Sequence, residues 1–238
     1  MITLDPILVI SPHCDDAVFA CGQLLAAYPG SLVVTAFAGR PPAGIPLPEW
    51  DQAAGFQPGD DVVGARRAED RAALNVLAAE PVWLDFCDSQ YRCSPSINEV
   101  GTALHEVIVM ASPCSVFFPL GLFHSDHQLV HDAVLPLLRQ DPKRLWFVYA
   151  EALYRCLPGL VNEKLHLCTA TGLQPESVVL PVHADGARKS EAVHCYRSQL
   201  RALRTPGRPG YNDVFAPEQF WRLHYSVSNK PECGATRE

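Results

Sequence analysis

Between Ile7 and Leu138 the chain alternates short apolar runs with helical patterns four times, and this alternation restricts the fold more than any other feature. The runs at 7–11, 32–37, 82–86 and 115–118 are continuous rather than alternating, as in strands buried on both faces. Each is followed by helical spacing. Phe19, Leu24 and Ala27 lie near helical spacing from Asp16 until Pro29-Gly30. Val63, Leu74 and Leu77 mark a stripe over 60–79, residues 97–111 form another helix, and a fourth runs from His124 through His131 to Leu138. A βα unit repeated in this way predicts an α/β protein, with a mostly parallel sheet, helices on both faces and the strand C-terminal loops clustered. Strands near 144–150, 164–169 and 177–182 extend the sheet. A long helix over 184–203 carries Lys189, Tyr196, Ser198 and Gln199, of which Lys189, Ser198 and Gln199 can support the C-terminal wall of a site, while Phe220 and Trp221 pack the C-terminal segment down. Gly22, inside the first helix, implies close packing against the strand layer. The Pro/Gly-rich stretch from Arg40 to Gly59 reads as structureless, either a substrate loop or a disordered one, and Trp50 and Phe56 make it more than a linker.

A length of 238 residues with 48% apolar content suits one domain over 1–238, its core spanning about 5–203 and the C-terminal extension packed on it. The net charge of −7 without a basic stripe excludes nucleic acid and anionic lipid as expected partners. No apolar run approaches the roughly 18 residues that span a bilayer, and no leader pattern opens the chain. The nine cysteines are odd in number, scattered and never Cys-x-x-Cys, so they read as free thiols in a reducing cytoplasm, with Cys14 a small buried filler.

Two clusters carry chemistry. His13-x-Asp15-Asp16 ends the first strand, and His124-x-Asp126-His127 follows the fourth. A catalytic zinc takes about three N and O ligands and leaves a position for water, more than the first cluster alone can supply. Both clusters at one end of the sheet provide four groups, enough for three ligands and one base. Simpler readings exist: Asp15 and Asp16 can cap the first helix, and Asp126 can cap its helix or orient an imidazole from behind. His131 shares the face of His127, and Asp88 follows the third strand, where ligands bind in open α/β sheets.

These residues resemble the LmbE-like (PIG-L type) N-acetylglucosaminyl deacetylases, whose signature reads Pro/Ala-His-Pro-Asp-Asp-Glu and, later, His-x-Asp-His. The matching stretches here are Pro12-His13-Cys14-Asp15-Asp16-Ala17 and His124-Ser125-Asp126-His127, and the similarity continues through Arg66–Glu69, Asp88 and Lys189…Ser198-Gln199. The resemblance covers about residues 7–200 and implies a Rossmann-like three-layer α/β/α sandwich. It implies one zinc ion, or another divalent transition metal, on His13, Asp16 and His127. It further implies Asp15 as the general base, a protonated His124 on the oxyanion or as acid, and an N-acetylated sugar or glycoconjugate as substrate. Arg66 and Asp88 would hold the sugar or its aglycone; otherwise Arg66 pairs with Glu69 or Asp70, and Asp88 caps a loop. Three positions depart from the pattern: Cys14 for proline, Ala17 for glutamate, which removes a carboxylate behind the metal ligands, and Tyr196 for a frequent histidine. The alternatives are a sugar-binding relative without turnover and a magnesium-binding phosphoacceptor domain. No Gly-x-Gly-x-x-Gly follows the first strand, which disfavours a dinucleotide enzyme.

Overall fold

The computed structural model describes residues 4–180 and 186–225. At its centre is β1 (Ile7–Ser11), buried along its whole length between β2 (Leu32–Thr35) and β4 (Ser115–Pro119), parallel to both. With β3 (Glu80–Trp83), β5 (Leu145–Tyr149), β6 (Leu173–Val178) and β7 (Phe220–Tyr225) these form a seven-stranded sheet in the order β3-β2-β1-β4-β5-β7-β6. Only β7 runs against its neighbours. The two-residue period of β1 sends Ile7 and Val9 to one core and Leu8 and Ile10 to the other. The first core is closed by α1 (Asp16–Ala27), α3 (Val62–Leu77), α7 (Gly186–Val193) and α8 (Arg197–Leu203). The second is closed by α4 (Ile97–Ala111) and α5 (Ser125–Gln140). Burying each branched β1 side chain contributes about 1.5–3 kcal/mol, so this strand is a principal anchor of both layers.

The chain leaves β1 toward β2 and β3 on one side and returns to β4 and β5 on the other, so the C-terminal ends of β1 and β4 border a topological switch point. That crevice receives both His/Asp clusters.

Several expected boundaries move. Residues 164–169 are not a strand but lie within α6 (Leu160–Ala170). Leu160, Val161, Leu165 and Cys168 reach the core at helical spacing, a period hidden by the intervening polar residues. The strand expected at 177–182 comes earlier, as β6; residues 181 and 182 lie outside the described ones. The helix expected over 184–203 is interrupted between α7 and α8, and its residues 184 and 185 also lie outside them. Phe220 and Trp221 do pack the C-terminal segment down, by making it β7 between β5 and β6. The 40–59 stretch is not structureless: it carries α2 (Glu49–Ala54), and Trp50 Nε1 donates to Gln199 Oε1 at 2.9 Å.

Gly22 packs not against the sheet but against α7, where an added Cβ would meet Lys189 Cγ at 2.7 Å. One residue earlier, Cys21 leaves helical geometry and breaks the α1 ladder. The break is satisfied from outside the helix. Lys189 Nζ donates to Phe19 O at 2.9 Å and to Glu218 Oε1 at 2.8 Å, while Glu218 accepts the Gln23 and Leu24 N–H groups at 2.7 and 3.1 Å. Lys189 is therefore a buried stitch in the frame rather than part of the wall expected for it.

The thiols are not all free. Cys87 and Cys93 form a disulfide, their Cα atoms 5.9 Å apart, because the 3-10 turn Ser89–Tyr91 folds the chain back between them. Cys14 is buried, as expected for a filler, and Cys233 lies outside the described residues.

Candidate active site

The end of β1 turns into α1 through a local hydrogen-bond knot. Ser11 Oγ donates to His13 O at 2.5 Å and accepts the Ala17 N–H at 2.9 Å, doing what a helix cap does. Asp15 occupies the N-cap position, yet its side chain makes no capping bond. Its carboxylate is thus left for other work, and burial, followed by the charge of Asp16, pushes its pKa up to about 7. Asp16 faces the other way. Its Oδ2 accepts the His13 N–H at 2.9 Å and lies 3.0 Å from His13 Nδ1 and 3.1 Å from His127 Nε2. Burial opposes its charge, but the two imidazoles prevail and hold it well below the usual carboxylate range.

His127 reaches Asp16 from the first turn of α5, where helical geometry also sets His124 and Asp126 at the crevice. Donor atoms of His13, Asp16 and His127 all lie within 4.8 Å of one another. Two imidazole nitrogens and one carboxylate oxygen are a donor set suited to zinc and leave a coordination position open. A second trio, His13, His124 and Asp126, meets the same distance condition, but Asp126 is already engaged. Its Oδ2 is 3.1 Å from His13 Nε2 and accepts the Ser89 N–H at 3.1 Å, so it sits behind His13 and orients that ring. Burial would lower the pKa values of His13 and His127. The surrounding carboxylates outweigh it, raising His13 and taking His127 to about 9. Two positive charges would thus sit beside Asp16, a demand that one divalent cation meets equally well. The residues fit such an ion.

His124 is the N-cap of α5, and its Nδ1 accepts the Asp126 N–H at 3.2 Å. Burial, then His13 and His127, lower its pKa. With Nδ1 accepting the Asp126 N–H, Nε2 is the ring nitrogen left to face the crevice.

Asp88 reaches the same crevice, its Oδ2 4.0 Å from His13 Nε2, while its two oxygens accept the Gln90 backbone and side-chain N–H groups at 3.0 Å. Arg66 is held elsewhere than expected. It pairs with buried Asp51 at 2.5 Å, not with Glu69 or Asp70, and Tyr91 Oη donates to the other Asp51 oxygen at 2.6 Å. Glu69 instead accepts the Ser198 N–H and Oγ–H at 2.9 and 2.6 Å. Asp70 accepts from Trp83 Nε1 at 2.7 Å and from Tyr196 Oη at 2.8 Å, which is what the tyrosine at position 196 is for. His131 turns its Nδ1 to Pro119 O at 2.9 Å and takes no part in the donor set.

Sequence reasoning missed Glu151 and Tyr154, which follow β5. Glu151 Oε1 lies 3.4 Å from His127 Nδ1, and Tyr154 stands edge-on to the His127 ring at 5.2 Å. Their arrival at the ends of neighbouring strands was the only available signal. Exposed Phe123, with φ of 52°, stacks on Tyr154 at 5.4 Å beside the crevice.

The sequence profile described as PIG-L, GlcNAc-PI de-N-acetylase, matches residues 8–138, which hold both clusters. The chain belongs to the PIG-L family. No curated protein matches it in sequence. Among solved structures, a triple mutant of the deacetylase of teicoplanin biosynthesis is 26% identical with a TM-score of 0.79, covering 93% of this chain and 99% of its own. The A40926 pseudoaglycone deacetylase is 25% identical with a TM-score of 0.73, covering 94% and 98%. The zinc-inhibited form of teicoplanin deacetylase, 24% identical, shares the fold with a TM-score of 0.78 over 93% and 99%. As a PIG-L member the chain has the expected three-layer α/β/α architecture. Among the described residues no helix is long and apolar enough to cross a membrane.

Proposed function

We propose that this chain is a metal-dependent hydrolase, zinc being the metal its donor set suits, that removes the N-acetyl group from an N-acetylglucosamine-type sugar or glycoconjugate. One observation carries the reading: an Asp15 carboxylate free of capping duty stands beside the converging His13, Asp16 and His127. Family membership and the deacetylase neighbours support it.

His13 Nδ1, Asp16 Oδ2 and His127 Nε2 would hold the ion. A bound zinc supplies Lewis acidity toward the amide carbonyl and brings the pKa of the attacking water toward about 7. Asp15, free of capping bonds beside these ligands, would accept that proton and return it to the departing amine. His124 Nε2–H donates toward the developing oxyanion, its ring fixed because Nδ1 is occupied by the α5 backbone. Asp88 is placed for a sugar hydroxyl once Gln90 yields an oxygen. Arg66 acts through the wall of a cavity of ≈ 860 Å³ lined by Ile45, Leu47, Asp51, Phe56, Val63 and Tyr91, to which we assign the aglycone. Wild-type turnover should leave the amine-bearing sugar and acetate in equal amounts.

The phosphoacceptor alternative fits poorly, because Asp16 is gripped by two imidazoles. A panel of N-acetylated sugars and glycoconjugates, assayed for acetate with and without chelator, tests the proposal. Metal-dependent release from at least one member is expected; a metal-loaded chain inert on all of them would leave the sugar-binding alternative.

A further inference from the structure

We infer that Glu151 is the positioning residue of this site, fixing the ring of His127 and the β4–α5 turn with one oxygen. The side chain is 1% exposed, and its Oε1 accepts the Gly121 N–H at 2.7 Å and the Leu122 N–H at 2.8 Å. The same oxygen lies 3.4 Å from His127 Nδ1. That buried nitrogen makes no hydrogen bond among the described residues, so the Glu151 carboxylate is the charged group that faces it. His127 is therefore bracketed, with Asp16 Oδ2 before its Nε2 and Glu151 Oε1 behind its Nδ1.

An imidazole can offer the lone pair of Nε2 to a cation only when its ring proton sits on Nδ1, and a carboxylate behind Nδ1 selects that tautomer. The two backbone contacts extend the role. Gly121 has φ of +82°, and an added Cβ would meet His131 Cβ at 2.8 Å, so the turn that leads to His124 and α5 needs glycine and packs close on His131, with its Gly121 and Leu122 N–H groups taken up by Glu151. Glu151 thus joins a metal-facing ring and the turn that delivers His124. It supplies from the end of β5 the kind of carboxylate that Ala17, wholly buried, cannot supply from α1.

The inference rests on the metal-site reading, and the test separates the two. Zinc affinity is measured by chelator competition for the wild type and Glu151→Gln, with thermal unfolding and Gly121 and Leu122 amide exchange followed in the metal-free chains. Gln retains an oxygen for the turn but loses the charge behind Nδ1. The expected result is zinc binding about 10–100-fold weaker, with metal-free unfolding and turn protection nearly unchanged. At saturating zinc kcat should recover more than affinity does. Equal affinity in a folded Gln variant overturns the inference and leaves the hydrolase reading standing; a wild type that takes up no metal overturns both. Should the variant not fold, nitrogen NMR of the zinc-loaded wild type decides. A His127 Nδ1 proton held in a hydrogen bond to a carboxylate, shifted downfield and slow to exchange, supports the inference, and one that exchanges freely overturns it.

Discussion

Asp70 is wholly buried, and among the described residues its carboxylate receives only the Trp83 indole and the Tyr196 hydroxyl. Burial pushes its pKa up from 3.8 to about 7 despite those two donors. Below pH 3.8 both folded and unfolded chains hold the proton, so Asp70 adds no pH dependence there. Between 3.8 and 7 only the folded chain holds it, so rising pH lowers stability; above 7 the whole cost is present. At about 1.36 kcal/mol per pH unit, the displacement from 3.8 to about 7 corresponds to about 4 kcal/mol, of which about 3 falls between pH 5 and pH 8. Asp70→Asn preserves the shape and removes the titration. Urea denaturation of both proteins at pH 5 and pH 8 should show the wild type losing about 3 kcal/mol more than the variant over that interval, with equal m-values. The difference between proteins cancels every other titrating group, Asp15 included. An identical pH dependence would refute the reasoning, and a steeper fall in the variant would reverse its sign.

Two further perturbations probe the frame and the metal-facing ring. Lys189→Met should cost about 3–5 kcal/mol, because it strands Glu218 as a buried charge beside the α1 break; chemical denaturation measures it, and a loss below about 1 kcal/mol would contradict that role. Asp126→Asn should weaken zinc binding by about 10-fold or more by loosening His13, while leaving the α5 cap on His124 intact; chelator competition and the helical circular dichroism signal report the two effects separately.

The parallel half of the sheet was legible because β1, β2 and β4 are buried on both faces and announce themselves as unbroken apolar runs. The far edge was not. β6 carries Glu176 and β7 carries Arg222 and His224, so neither shows such a run, and the helical face of α6 is diluted by polar neighbours. Within the site, the residues of the two short motifs come together because a strand end and a helix start fix their reach. The contacts of Arg66 with Asp51, of Tyr196 with Asp70 and of Glu151 with His127 join segments far apart in sequence, and no local spacing encodes them. The Cys87–Cys93 pairing was missed for another reason, since a six-residue separation has no signature until the intervening turn is known to fold back.

The account stands or falls on the division of labour between Asp15 and its neighbours. Zinc content and acetate release should be measured together for the wild type and Asp15→Asn, on an N-acetylated sugar or glycoconjugate that the wild type hydrolyses. The account predicts one zinc per chain in both proteins and a fall in kcat of about 10²–10⁴-fold in the variant. An Asp15→Asn chain that keeps its zinc and turns over at the wild-type rate would contradict it.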